Sequence, residues 1–410
     1  MRIFTRERLL NPRALILADQ TVMSASGFLA NFLLAWKLQL TQYGQYALVF
    51  IGMMLLMSLQ QALFIQPAQV FFPRFRKEQQ QKLIGSLLIL AIPILVIASI
   101  ILEVVYELVY DIHISTGVLS LVTLFWLLAD LLRKLAIMLR PGISLVIIDC
   151  VYVLVFLGSI LLFSPASISV AMLISGLSAT ISLAFIFVLK PRIPGFRMFN
   201  FTLFRCLPTA GWMVLTSAVQ WSSSNYLLLA AGSWLNSASL GLLRLAQYLY
   251  GLLNIFLQAY ENYAVPRLVA YTGEGSQRNR YLIKFSLPFL LPVILLLSVI
   301  TILFPWLFSF VSTETTDFPI HYWLSVLYLL IVTGYPVRVY IRASKYNPIY
   351  FGAHALSLLF ILMSASYLII NFETAGVIMG LIMSQAIMLA VWAAFLFRKN
   401  EISWKLSTSL

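Results

Sequence analysis

In the stretch 240–268, LGLLRLAQYLYGLLNIFLQAYENYAVPRL, polar residues stand among apolar ones at Arg244, Gln247, Asn254, Gln258 and Glu261. With Gly251 included, the steps between them are three, four, three, four, three, which puts all six on one face of a helix. From Arg244 to Glu261 such a helix rises ~26 Å at ~1.5 Å per residue, close to the ~30 Å hydrocarbon core of a bilayer. Polar groups at that depth are costly unless they face other helices or a water-filled cavity. Two uses fit. The seam could bind this helix to its neighbours, with Gly251 allowing close approach, or it could line a solvated path for a polar substrate. The second is the functional expectation.

Similar seams occur twice more. Gln20, Ser24, Gly27 and Asn31 step four, three, four, and the run Gln220-Trp221-Ser222-Ser223-Ser224-Asn225 is strongly polar, with Thr216, Gln220 and Ser223 on one face. Amides and hydroxyls of this kind suit sugar hydroxyls, and Trp212, Trp221, Tyr226, Tyr248 and Tyr250 offer ring faces. Taken singly, each residue reads equally well as an interhelical hydrogen bond. Taken together, they outline a cavity.

Arg244 is the sharpest single residue. Arginine stays charged and can grip phosphate through two parallel hydrogen bonds. The bland alternative is a snorkelling side chain paired with an outer acid such as Glu314. Arg133, Lys134, Arg338 and Arg342 fall at span ends, where snorkelling is the simpler reading, although Arg133 and Arg338 occupy equivalent positions in two halves of the chain and make a matched pair of basic patches. Asp19, Asp130, Asp149 and Glu261 are candidate proton-coupling carboxylates, with Asp19 and Asp130 the preferred ones. Asp19 and Asp149 lie near span ends and read as interfacial. Asp130 precedes Arg133 and Lys134 by three and four residues, the spacing of an internal ion pair. His354 reads as a packed residue.

The elements that must position these residues follow from composition. Of 410 residues, 61% are hydrophobic and 10% charged, against about a quarter charged in an ordinary soluble chain. This is an integral membrane protein. Twelve spans are expected, at roughly 14–36, 43–66, 83–105, 117–138, 143–163, 168–189, 208–232, 238–262, 282–311, 320–340, 349–371 and 375–397. The first is too long for a signal-peptide core.

Basic residues alternate with these spans. They occupy the N-terminus (Arg2, Arg6, Arg8, Arg13), the second loop (Arg74, Arg76, Lys77, Lys82), the fourth (Arg133, Lys134, Arg140) and the sixth (Lys190, Arg192, Arg197, Arg205). The eighth loop (Arg267, Arg278, Arg280, Lys284), the tenth (Arg338, Arg342, Lys345) and the C-terminus (Arg398, Lys399, Lys405) continue the pattern. The odd loops hold only Lys37, beside Glu103, Glu107, Asp111, Glu314, Asp317 and Glu373. The positive-inside rule then puts both termini in the cytoplasm. It also accounts for the net charge of +13 through anionic membrane lipid rather than nucleic acid.

Internal repetition sets the domain plan. Asn31-Phe32-Leu33-Leu34 recurs as Asn225-Tyr226-Leu227-Leu228, Gly44 as Gly241, and Pro73-Arg74 as Pro266-Arg267, with a weaker echo of Arg140-Pro141 in Asn347-Pro348. Two six-helix bundles in the same orientation are expected, over 1–190 and 208–397, with a pseudo-two-fold axis along the membrane normal and a site between the halves. Residues 191–207 form an interfacial linker helix, with Phe196, Phe199 and Leu203 opposite Arg197; residues 398–410 form a cytoplasmic tail. Cys150 and Cys206 make no disulfide framework. The chain has no Walker, GxSxG or HExxH sequence, so no cofactor, metal or catalytic centre is expected.

The region ALILADQTVMSASGFLANFLLAWKLQLTQYGQYAL resembles the opening of bacterial oligosaccharide flippases of the multidrug/oligosaccharidyl-lipid/polysaccharide exporter superfamily. Residues 240–268 resemble the eighth-span region of the same proteins. The resemblance implies an inner-membrane protein with two bundles around a cavity that opens alternately to each side. It implies a polyprenyl-pyrophosphate-linked oligosaccharide as cargo, proton or sodium coupling, and polysaccharide-assembly proteins as partners. An ion-coupled drug or cation antiporter and a membrane saccharide polymerase or ligase are the rival classes. The antiporter would want cavity acids where these seams are mostly neutral or basic. The polymerase or ligase would want a large outer loop.

Overall fold

The structure, a computed structural model, describes residues 12–112, 114–115, 117–139, 143–270, 276–309, 319–344 and 346–398. The expectations for the basic N-terminus, the Arg140-Pro141 echo, Glu314 and Asp317, Lys345 and the tail beyond 398 lie outside the described residues, as do the side chains of Gln20, Pro266, Arg278, Arg280 and Lys284.

Every regular element among the described residues is helical. A chain in lipid must satisfy its backbone groups within each segment, and helices do so. In order they are α1 (Pro12–Lys37), α2 (Leu40–Gln60), α3 (Lys77–Tyr110), α4 (Val118–Leu139), α5 (Ile143–Phe163), α6 (Ile168–Ala179) and α7 (Gly211–Trp234), then α8 (Ser237–Gly251), α9 (Leu253–Ala270), α10 (Ser276–Ser309) and α11 (Ile320–Ala343). The continuous stretch Asn347–Arg398 reverses at Glu373, whose φ of 49° and ψ of −129° are not helical. Ser357 and Ser384 bring their hydroxyls to 2.5 Å, and the rings of Tyr350 and Trp392 stack 5.8 Å apart. The stretch is therefore an antiparallel hairpin, α12 (347–372) and α13 (374–398). Gly376 is required at the reversal, since a Cβ there would lie 1.9 Å from the Leu368 carbonyl oxygen.

Among the described residues, seven helices are long and apolar enough to cross a membrane, with the α12–α13 hairpin counted once; the bent pair α8–α9 makes eight. The chain is a multi-pass membrane protein. Helices α1, α4 and α7 are not among them: α4 carries three charged residues, Asp130, Arg133 and Lys134, while α1 carries Asp19 and Asn31 and α7 the polar run Gln220 to Asn225.

The chain divides into two compact units, one of residues 1–221 and 236–242 and the other of 222–235 and 243–410. In the first, α1 packs on α5, and α4 on α3 and α6. Its apolar core joins Phe64 and Ile65, Leu83, Ile84 and Leu87, Leu127, Leu131 and Leu135, and Phe185 and Leu189. Gly52 opens a slot for Tyr106, whose hydroxyl donates to the Leu48 carbonyl at 2.6 Å. The linker region is not a separate short helix. It is helical from Phe196, passes through a π turn at Thr202–Cys206 and runs on into α7. Phe201 packs edge-on to Phe71 and Phe75, while Ile193, Phe196 and Phe204 are exposed.

In the second unit, α11 packs against α9, α10 and the α12–α13 hairpin. Its interior holds the Ser223 hydroxyl 2.9 Å from His354 Nδ1, with Tyr350 and Trp392 around the imidazole. His354 is thus the packed residue that its setting predicts.

Candidate functional site

Two polar assemblies stand out, one in each unit. The first is centred on Arg133 of α4. Its Nε donates to Asp149 of α5 at 2.6 Å, and a terminal nitrogen donates to Asp19 of α1. Asp19 and Asp149 are 1% and 0% exposed. The Arg133 side chain is mostly covered. Asp130 pairs with Lys134 at 2.8 Å but not with Arg133. Gln60 Nε2 donates to the Leu127 carbonyl and to Asp130, and Lys134 donates to Gln61 at 3.0 Å. These two amides sit where α2 enters a π turn, Gln61–Ile65, an irregularity that often marks function. Burying any one of these charges alone would cost several kcal/mol, and the assembly avoids that by pairing. It holds three carboxylates against two cations, with Asp19 Oδ1 and Asp149 Oδ1 lacking any hydrogen-bond donor. Sequence spacing located Asp130 and Lys134. Nothing in it could pair Arg133 with acids on two other helices, or find Gln60 and Gln61.

The second assembly is the seam of 240–268. It is not one straight face, because the helix breaks at Leu252 and α8 and α9 meet at a 47° bend. Gly251 lies at the bend and not at a close helix contact, since a Cβ there would meet only the Asn254 amide at 4.0 Å. Before the bend, Arg244 is 8% exposed and donates to Gln247 Oε1 at 3.0 Å. Its guanidinium lies 5.2 Å from the centre of the Tyr248 ring, within range of a cation–π contact. Its Nε and the Tyr248 hydroxyl are buried without partners, and Arg244 makes no ion pair among the described residues. After the bend, Asn254 and Gln258 are exposed. Amides at this depth cannot be satisfied by lipid, so a solvated surface suits them. Glu261 accepts from the Tyr335 hydroxyl at 2.7 Å and from Arg342 of α11.

The other seam residues divide. Asn31 is buried and turns its amide back to the Gly27 carbonyl at 2.8 Å, leaving Oδ1 without a donor. Gln220 and Asn225 are half-buried on α7. Of the aromatic set, Tyr250 and Trp221 are buried and Trp212 is exposed. Tyr250 is committed to α10 and α11, with its hydroxyl donating to the His321 carbonyl at 2.8 Å and 2.9 Å from Ser325 Oγ. Arg338 lies 5.3 Å from the Tyr335 ring centre, with Nε buried and unpartnered. Sequence reasoning named Arg338 and Arg342 but missed the rest of their stripe on α11. His321, Ser325, Tyr328, Tyr335, Arg338 and Arg342 step four, three, seven, three, four, a stripe as regular as the one on α8.

No family model matches the chain, and no curated protein matches it. Solved structures do. One is an inward-facing multidrug resistance MATE family transporter of the MOP superfamily, with a TM-score of 0.64 and 13% identity over 95% of this chain and 96% of that one. A second is the lipid II flippase MurJ in an inward closed conformation, with a TM-score of 0.65 and 14% identity over 94% and 89%. A third is a eukaryotic MATE transporter, with a TM-score of 0.54 and 14% identity over 93% and 98%. At that identity the likeness is one of fold: the chain shares the all-helical fold of these solved transporters.

Proposed function

We propose that the protein is a flippase that carries a polyprenyl-pyrophosphate-linked oligosaccharide from the cytoplasmic to the outer leaflet of a bacterial inner membrane, for cell-surface polysaccharide synthesis. In this reading twelve helices form two pseudo-symmetric bundles with both termini in the cytoplasm, and transport proceeds by alternating access. The cycle moves the cargo without making or breaking a covalent bond in it.

One observation carries the reading. Asp19 and Asp149, which are buried, and Asp130 and Glu261, which are half-buried, are each held by an Arg or Lys. Arg244 is buried with no acid partner among the described residues and with an unused N–H. Among the described residues, the charge that the seam of 240–268 leaves unpaired is thus positive. A drug or cation antiporter would need the reverse. A pyrophosphate would supply the missing acceptors to Arg244 and the Tyr248 hydroxyl, and the exposed Asn254 and Gln258 suit sugar hydroxyls. The surplus carboxylate of the Arg133 assembly supports proton or sodium coupling through Asp19 and Asp130.

The test is glycan export from cells carrying Arg244 variants, with the protein in the membrane quantified in parallel. Lysine keeps the charge but loses the planar fork, so Arg244→Lys retains part of the activity and Arg244→Ala very little. A lost charged hydrogen bond costs ~1.5–3 kcal/mol, on the order of 10- to 100-fold in affinity. Normal export by the alanine variant at a normal protein level removes Arg244 from the site.

A further inference from the structure

The polar stripe of α11 joins two guanidinium groups that lack carboxylate partners among the described residues. Tyr328 lies within the electrostatic reach of Arg244 and donates to the Gln247 carbonyl at 3.2 Å. Ten residues further along the same helix stands Arg338, ~15 Å away by helical rise. Arg338 donates to the Tyr350 side chain and keeps Nε buried without an acceptor. One turn beyond it, Arg342 has a side chain 45% exposed and is held by Glu261, whose own side chain is 16% exposed. The Tyr335 hydroxyl holds the other oxygen of that carboxylate.

We propose that Arg338, Arg342 and Tyr335 form a second phosphate-binding station, and that Glu261 is its resting occupant, displaced when a phosphate or pyrophosphate group arrives. The inference rests on the reading of the cargo as anionic and adds where its headgroup would be held apart from Arg244. The donors now spent on Glu261 are those a phosphate uses: a guanidinium able to bind two oxygens and a phenol O–H. Arg338 adds a second guanidinium that Glu261 does not reach with a hydrogen bond. A phosphate has oxygens enough for all three, whereas one carboxylate serves two. The half-exposed Arg342 gives an anion its way in. Glu261 follows the exposed Gln258 by three residues on α9, so a displaced carboxylate has a polar face to turn to.

An internal competitor lowers apparent affinity by the fraction of time it occupies the site. Glu261→Gln removes the competing charge while leaving an oxygen to accept from Tyr335. In the full-length protein purified in detergent, this variant is expected to bind inorganic pyrophosphate ~10-fold more tightly than the parent. Adding Arg338→Ala or Arg342→Ala should abolish the gain. Unchanged or weaker binding by Glu261→Gln overturns the proposal. A second measurement needs no variant: carbodiimide labelling of Glu261, read by mass spectrometry, should rise and saturate as pyrophosphate is added. Labelling that stays flat or falls overturns the proposal. Farnesyl diphosphate run in parallel separates the sources. A rise with both probes shows a site that takes a lipid headgroup, and a rise with pyrophosphate alone shows a site for the free anion. The binding test reads only the difference made at Glu261 and the labelling reads Glu261 itself, so both separate this station from pyrophosphate held at Arg244, and failure here and failure of the flippase reading are distinguishable.

Discussion

Gly44 and Gly241 meet backbone to backbone. A Cβ on Gly44 would lie 1.8 Å from the Ser237 carbonyl oxygen, and one on Gly241 would lie 2.4 Å from the Leu40 carbonyl oxygen. The two glycines that sequence comparison aligned as equivalent thus touch, and no side chain fits between α2 and the start of α8. Gly44→Val is expected to destabilise the protein by about 1–3 kcal/mol through overpacking. Gly27→Ala should be neutral or slightly stabilising, because nothing lies within 4 Å of a Cβ there and alanine favours helix. Thermal unfolding of the two variants in detergent compares them directly. Equal unfolding temperatures would show that the contact does not constrain the fold.

The Arg133 assembly predicts strong non-additivity. Arg133→Ala strands Asp19 and Asp149 in the interior and is expected to cost about 3–5 kcal/mol. Combining it with Asp19→Asn and Asp149→Asn should recover a large part of that loss, because the stranded charges go with it. A mutant cycle on unfolding stability measures the coupling. Simple additivity of the losses would mean that the three residues do not act as a unit.

Coupling has its own test. Asp19→Asn keeps an acceptor for Arg133 but removes a charge. If Asp19 carries the coupling ion, this variant should keep its place in the membrane while export becomes insensitive to collapse of the proton or sodium gradient. Export that falls on gradient collapse as it does in the parent protein would exclude Asp19 from coupling.

Topology can be read directly. Reporters fused after residue 205 and after residue 236 should give opposite signals, with 205 on the cytoplasmic side, because α7 lies between them. The same signal from both would remove α7 as a span and the twelve-span plan with it.

The helical class and the approximate position of each long helix were legible, because lipid makes hydropathy a direct readout of secondary structure. The reversal at Glu373 was legible too, as a gap between two apolar runs. The bend at Leu252 was not: periodicity runs through it unbroken, and neither a proline nor a pair of small residues marks it. Arg244 stood out in the sequence as a charge within a span, but the contacts that surround it did not. The partners of Arg133 and Glu261 could not be anticipated, because they come from other helices and only packing brings them together.

The helix that begins at Ser237 starts in one compact unit and continues in the other, with residues 236–242 belonging to the first and those from 243 to the second. Gly241 pins its first turns against α2, while Glu261, past the bend, is tied to α11. The stretch between Leu242 and Leu252, which carries Arg244 and Gln247, is therefore held at both of its ends, and its direction is set by those two attachments rather than by its own residues.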